Sequence, residues 1–125
     1  MADYYRLANI KIRLNQSDAS LDAIIDEYGD QVDAFIDQEL RAHLGDTNAA
    51  GDAIVLPLTG VTDPPLTIDT QVMADDLTIA YLRADQNDNK ELRDDAEKRF
   101  ATHLIREYGY SRDLPFDISN LADVT

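Results

Sequence analysis

Residues 21–44, LDAIIDEYGDQVDAFIDQELRAHL, decide the fold. Leu21, Ile24, Ile25, Tyr28, Val32, Phe35, Ile36, Leu40 and Leu44 recur at intervals of three and four, the spacing of one helical face. Ser17 or Ser20 stands where a side-chain oxygen caps a first turn. Asp22, Asp26 and Glu27 favour the N-terminal half through the helix dipole. Gly45 is a natural stop. Gly29 costs about 1 kcal/mol relative to Ala in a helix interior, and it allows a division into helices 20–28 and 30–44.

On the N-terminal side, residues 4–14 (YYRLANIKIRL) read as a short helix or an extended arm, closed by the turn Asn15-Gln16-Ser17-Asp18. On the C-terminal side the pattern breaks. Residues 46–66 contain Gly51, Pro57, Gly60, Pro64 and Pro65, all of which interrupt helices. The run Ala53-Ile54-Val55-Leu56 is strand-like, so this long loop is expected to hold a short β-hairpin. A loop of that length in a small domain is usually functional. Helical spacing returns over 68–85 (Val72, Met73, Leu77, Ala80, Tyr81, Ala84), capped by Asp69 or Thr70. It returns again over 90–108 (Leu92, Ala96, Phe100, His103, Leu104, Tyr108), ended by Gly109. The expected fold class is therefore mainly α. It is a small bundle of three to four helices with a long central loop and an extended C-terminal tail. The expected domains are 1–109, with 46–67 as an inserted loop, and a docking tail 110–125.

A chain of 125 residues suits one modest core, and a domain of that size gains from a partner subunit. It has no cysteine, which excludes disulfides and thiolate chemistry. No apolar run approaches the roughly 20 residues of a membrane span. The N-terminus lacks the charged-then-apolar order of a signal peptide, so the chain is expected to stay in the cytoplasm until assembled. The net charge is −14, from 11 bases and 25 acids. The acids are 20 Asp and 5 Glu, and the bases are 8 Arg and 3 Lys. Asp is the poorer helix former, so its dominance in a helical chain points to adaptation to a salt-rich cytoplasm. At about 1 M salt the Debye length is about 3 Å, which screens self-repulsion. Phosphate binding is disfavoured, since it rests on clustered Lys and Arg.

The chemical motifs are weak. Asp85-Gln86-Asn87-Asp88-Asn89 begins like a calcium loop, but Lys90 stands at the turn glycine and Ala96 at the bidentate glutamate. A polar inter-helix turn is the better reading. The pairs Asp75-Asp76 and Asp94-Asp95 read as solvated helix faces. His43 and His103 have no metal-ligand spacing. His43 suits a helix C-terminus, and His103 suits a hydrogen-bonded core edge. Arg93, Lys98, Arg99 and Arg106 alternate with acids and read as ion-pair partners within the helix or with a neighbour. No nucleotide-binding or nucleophile-elbow motif occurs. No catalytic, cofactor or metal residue is therefore assigned, and no cofactor is expected.

The order of parts resembles the head–tail connector (adaptor) proteins of tailed viruses. The resemblance covers roughly residues 4–109. Val32, Ile36 and Leu40 match the register of that family's first long helix, Pro65-Leu66 its loop exit, and Leu77, Ala80 and Tyr81 its second helix. The 46–66 loop and the acidity depart from common members, and the acidity suggests a haloarchaeal host. The resemblance implies a structural virion subunit and no enzyme. It implies a homo-oligomeric ring, typically twelve-fold, beneath the portal protein and joined to the next tail component. DNA passes through the lumen without specific binding, and no membrane is involved. Candidate contacts with a neighbouring subunit or the portal are Ile54, Val55, Leu56 and Leu58 in the loop, and Leu114, Phe116, Ile118 and Leu121 in the tail. The competing readings are an acidic helical regulator, antitoxin-like or a DNA mimic that binds a partner protein, and a helical metal-dependent hydrolase.

Overall fold

A computed structural model describes residues 3–48 and 50–108. Four helices follow in order: α1 (Leu7–Arg13), α2 (Asp22–Leu44), α3 (Ile68–Gln86) and α4 (Lys90–Tyr108). The architecture is mainly helical, and among the described residues no helix is long and apolar enough to cross a membrane. The 4–14 segment contains the short helix its sequence allows. Residues 3–6 form an irregular arm, bent at Asp3 and Tyr4 and extended at Arg6, and α1 follows.

α2 runs unbroken through Gly29 for 23 residues. Ile25, Gly29, Val32, Ile36 and Leu40 form its buried stripe. Gly29 does not break the helix because its missing side chain makes room for the ring of Tyr5. The expected serine caps do not form. Leu21 is the N-cap residue, and Ser20 instead donates from its backbone and hydroxyl to Asp18. Gly45 ends the helix at φ 76°, a conformation open to glycine.

α3 and α4 form an antiparallel hairpin whose turn, Asn87-Asp88-Asn89, places Asp88 at φ 49°. α3 lies at the centre of the bundle, against α1, α2 and α4. Its buried arc is consequently wide and includes Ala74, Asp75, Thr78 and Leu82 besides the expected Leu77, Tyr81 and Ala84. Thr78 survives burial because its hydroxyl bonds the Ala74 carbonyl of the preceding turn at 2.9 Å. Val72, expected on the core face, is exposed instead. The N-cap of α3 is Thr67, two to three residues earlier than the expected Asp69 or Thr70, and its Oγ1 accepts from the Thr70 amide. α4 buries Ala96, Phe100 and Leu104 at four-residue intervals, and Phe100 meets Phe35 of α2 edge-to-face at 6.2 Å. Such a pair adds about 1 kcal/mol beyond its area.

The central loop contains no strand among the described residues. The expected hairpin reduces to one antiparallel bridge, Thr47 with Ala53. The 53–56 run has no extended partner, and Pro57 lacks an amide donor. Side chains hold the loop instead. Asn48 Oδ1 accepts from the amides of Ala50 and Asp52, both at 3.0 Å. Thr62 Oγ1 accepts from the Thr59 amide and donates to nearby carbonyls. Ile54 and Leu58 insert into the helical core.

Candidate functional site

The N-terminal arm is gripped by four aspartates. Asp33 of α2 accepts the amides of Asp3 (2.9 Å) and Tyr4 (3.1 Å). Tyr4 hydroxyl donates to Asp37 at 2.5 Å, and Tyr5 hydroxyl donates to Asp26 at 2.6 Å. Arg6 donates its amide to Asp75 of α3 at 2.6 Å, and its Nε and Nη2 to the same carboxylate at 2.9 and 2.8 Å. Asp26, Asp33 and Asp37 share one flank of α2 because seven and four residues are whole numbers of helical turns to within a fraction. Each carboxylate accepts bonds the arm could not satisfy within itself, having no ladder or helix partner.

This arrangement corrects the reading of Asp75-Asp76 as a solvated pair. Asp75 has a side chain only 1% exposed and its Oδ2 takes both Nε and Nη2 of Arg6 in an ion pair, while Asp76 stays near the surface and pairs with Arg13. Many of the chain's aspartates are solvated, but these four are structural. An Asp side chain is short and reaches a neighbouring backbone amide with little rotamer entropy to lose.

Burial drives the carboxyls upward. Asp33 is pushed up to about 6, against the lowering pull of its two amide donors. Asp37 and Asp75 are raised for the same reason, with Tyr4 and Arg6 respectively pulling back. Asp18 is lowered by its bonds from Ser20, but it is fully exposed and weighs little. A group raised on folding contributes stability that is full below the unfolded value, here 3.8, and lost as pH rises through the folded value. The protein should therefore be more stable at pH 5 than at pH 8, by several degrees in Tm. Thermal melts across that range check this, and Asp33→Asn should flatten the slope.

Tyr4 links the clasp to the central loop. Its hydroxyl, besides donating to Asp37, accepts the Leu58 amide at 3.0 Å. Leu58 and Ile54 are turned into the chain's own core, so they are not available to a neighbour as the sequence reading supposed. Leu56 is half-buried against the same core. Of the four loop candidates only Val55 faces solvent, 63% exposed, and Val61, which sequence reasoning passed over, is 95% exposed. The signal for Val61 was available: it lies between Gly60 and the Pro64-Pro65 turn, where no helix or strand could bury it. Leu114, Phe116, Ile118 and Leu121 lie outside the described residues.

A second polar cluster closes the N-terminal end of α3. Fully buried Thr70 places its Oγ1 3.0 Å from His103 Nε2, 2.9 Å from the Tyr108 hydroxyl and 2.9 Å from Thr67 Oγ1. His103 is thus the hydrogen-bonded core edge its sequence context suggests. Each member of the cluster satisfies another, and the group staples α3 to α4. Among the described residues no group of three or more His, Asp or Glu is placed to hold a metal ion.

Among the described residues, five bases make ion pairs and Arg83, Lys90, Lys98, Arg99 and Arg106 make none. Arg6, Lys11, Arg13, Arg41 and Arg93 make ion pairs. Arg93 reaches Glu97 and also lies over the Tyr81 ring at 4.0 Å. Lys98, Arg99 and Arg106, expected as ion-pair partners, make none with the described residues. They line a groove with Met73, Thr102 and His103. No family model, no curated protein and no solved structure matches this chain.

Proposed function

We propose that this chain is a structural subunit of the head–tail junction of a tailed virus, one that forms a ring beneath the portal and extends the DNA channel toward the tail. One observation carries the reading. The 46–66 loop is anchored from below by Ile54, Leu58 and the Tyr4 hydroxyl, yet presents Val55 and Val61 to solvent. Exposed valines on an anchored loop cost solvation in a lone chain and are suited to a neighbouring subunit. Ile12 on α1 and Ile68 at the start of α3 are also exposed. Contacts between unlike faces of identical subunits are heterologous and close into rings.

The acidity supports the same reading. A lumen lined by carboxylates repels phosphate and lets duplex DNA pass without adhering. The excess of Asp over Glu fits a virus whose host keeps a salt-rich cytoplasm. A DNA mimic would need its carboxylates displayed on one face, whereas Asp26, Asp33, Asp37 and Asp75 are occupied with the arm.

Sedimentation velocity at molar salt tests the loop's role. The wild-type chain, alone or with the portal, should enter a large ring assembly. Val55→Asp with Val61→Asp should reduce that assembly at least tenfold and leave Tm unchanged, because both side chains are outside the core. Assembly unaffected by the two substitutions would remove the loop from the interface. A wild-type monomer that ignores the portal would end the proposal.

A further inference from the structure

A groove opens where α1, α3 and α4 meet, apart from the arm clasp and the central loop. Ile79, Ala80 and Leu92 supply its apolar lining, and Arg13, Arg83 and Arg99 its cations. Leu92 is 37% exposed, so part of that apolar lining is open to solvent. Asp76 and Asp95 also line the groove. Asp76 is taken by Arg13, which leaves Arg83 and Arg99 against Asp95, and none of these three makes an ion pair among the described residues. Acids outnumber bases 25 to 11 in the whole chain. A groove in which three guanidinium groups meet two carboxylates reverses that balance. Its volume, about 250 Å³, falls below the roughly 300–1,000 Å³ of pockets that enclose a small molecule. It suits one or two inserted side chains instead.

We infer that the groove receives the 46–66 loop of a second copy of this chain. The loop complements it in both chemistries. Val55 and Val61 are exposed apolar groups. Asp52 and Asp63, a few residues from them in sequence, are exposed carboxylates that make no ion pair among the described residues. The segment contains no Lys or Arg, and its remaining acid, Asp46, is occupied by Arg41. A chain cannot fill its own groove. The turn that carries Val61 is closed by the Leu66 amide on the Thr59 carbonyl at 2.8 Å, which holds it to the Ile68 end of α3. Arg83 lies in the last turn of α3 and Leu92 near the start of α4, both beside the Asn87-Asp88-Asn89 turn. From Ile68 to Arg83 is about 22 Å of helix. Loop and groove therefore stand at opposite ends of the α3–α4 hairpin, and their contact is head to tail, the heterologous kind that closes into rings. At molar salt, where charges are screened beyond about 3 Å, the valines against Ile79 and Leu92 supply adhesion, and the close Arg–Asp contacts set the register. The docking rests on the assembly role proposed above and names the surface that its loop meets.

Two full-length chains test this, one carrying Gly60→Cys and the other Asp95→Cys, mixed and treated with a short bis-maleimide. Position 60 has open space for a side chain and position 95 is exposed, so neither change disturbs the core. The chain has no native cysteine. Links between unlike chains thus report the loop–groove contact, and links between like chains report any other pairing. The unlike link should exceed either like link at least fivefold. Arg83→Glu with Arg99→Glu in the Asp95→Cys chain should lower it at least fivefold. Asp52→Arg with Asp63→Arg in the Gly60→Cys chain should then restore it to within about twofold, a rescue that an unfolded variant cannot show. Sedimentation of the same samples, with and without the portal, separates the two ways of failing. If assembly occurs but like links dominate, or the unlike link ignores the charge reversal, or the exchange of charges does not restore it, the docking surface is overturned and the assembly role stands. A chain that stays monomeric in both samples overturns both.

Discussion

Gly29→Ala should destabilise the protein by about 2 kcal/mol, although Ala is the better helix former. The propensity gain is about 1 kcal/mol. Against it stands the ring of Tyr5, which occupies the space a Cβ at position 29 would need. Tyr5 is 3% exposed and bound through its hydroxyl to Asp26, so it has no free rotamer into which to retreat. Overpacking of this kind costs about 1–3 kcal/mol, and expelling the ring forfeits a further 1.5–3 kcal/mol of burial. The losses exceed the gain, and Tm should fall by roughly 10 °C. The sign should reverse in a Tyr5→Ala background. There the ring is gone, and Gly29→Ala should stabilise by about 1 kcal/mol. Equal effects in both backgrounds would show that the clash is not the cause.

Arg6→Ala should cost about 3 kcal/mol and make stability depend more steeply on pH. The pair it breaks is asymmetric. Arg6 retains some exposure, at 30%, while Asp75 is 1% exposed. Removing the guanidinium strands a buried carboxylate with only the amide of residue 6 as donor. Loss of one partner of a buried pair typically costs about 3–5 kcal/mol, and the lower end applies because Asp75 can protonate. Asp75 is already raised by burial and is held down by Arg6. Without Arg6 it rises further, so the variant should recover much of its lost Tm on moving from pH 8 to pH 5. A chemical-denaturation series across pH checks this. A pH-independent loss would mean that the ion pair contributes through shape alone.

The helices were legible because their apolar spacing is strong. Ile25, Val32, Ile36 and Leu40 on α2, and Ala96, Phe100 and Leu104 on α4, occupy the faces their periodicity assigns. α3 was less legible. A central helix is buried over a wide arc, and Ala74, Asp75 and Thr78 carry no hydrophobic signal. Gly29 was legible as a special position but not as a close approach, since the ring that fills it lies 24 residues away in sequence, at Tyr5. The clasp was hidden by the acidity around it. With 20 aspartates, Asp26, Asp33, Asp37 and Asp75 look like solvated surface until the arm is placed against them. A stripe of Asp beside an apolar face, combined with Tyr-Tyr-Arg at an end of the chain that has no ladder partner, is the pattern that could have pointed to it. In the loop, Ile54 and Val55 both read as apolar contacts, and only the fold shows that Ile54 enters the core while Val55 is exposed.

The central claim is that this chain joins capsid to tail. Electron microscopy of tailed-virus particles assembled with and without it tests that claim most directly. Without the chain, DNA-filled heads and free tails should accumulate unjoined, and supplying the wild-type chain in trans should restore complete particles. Normally joined particles in its absence would contradict the account.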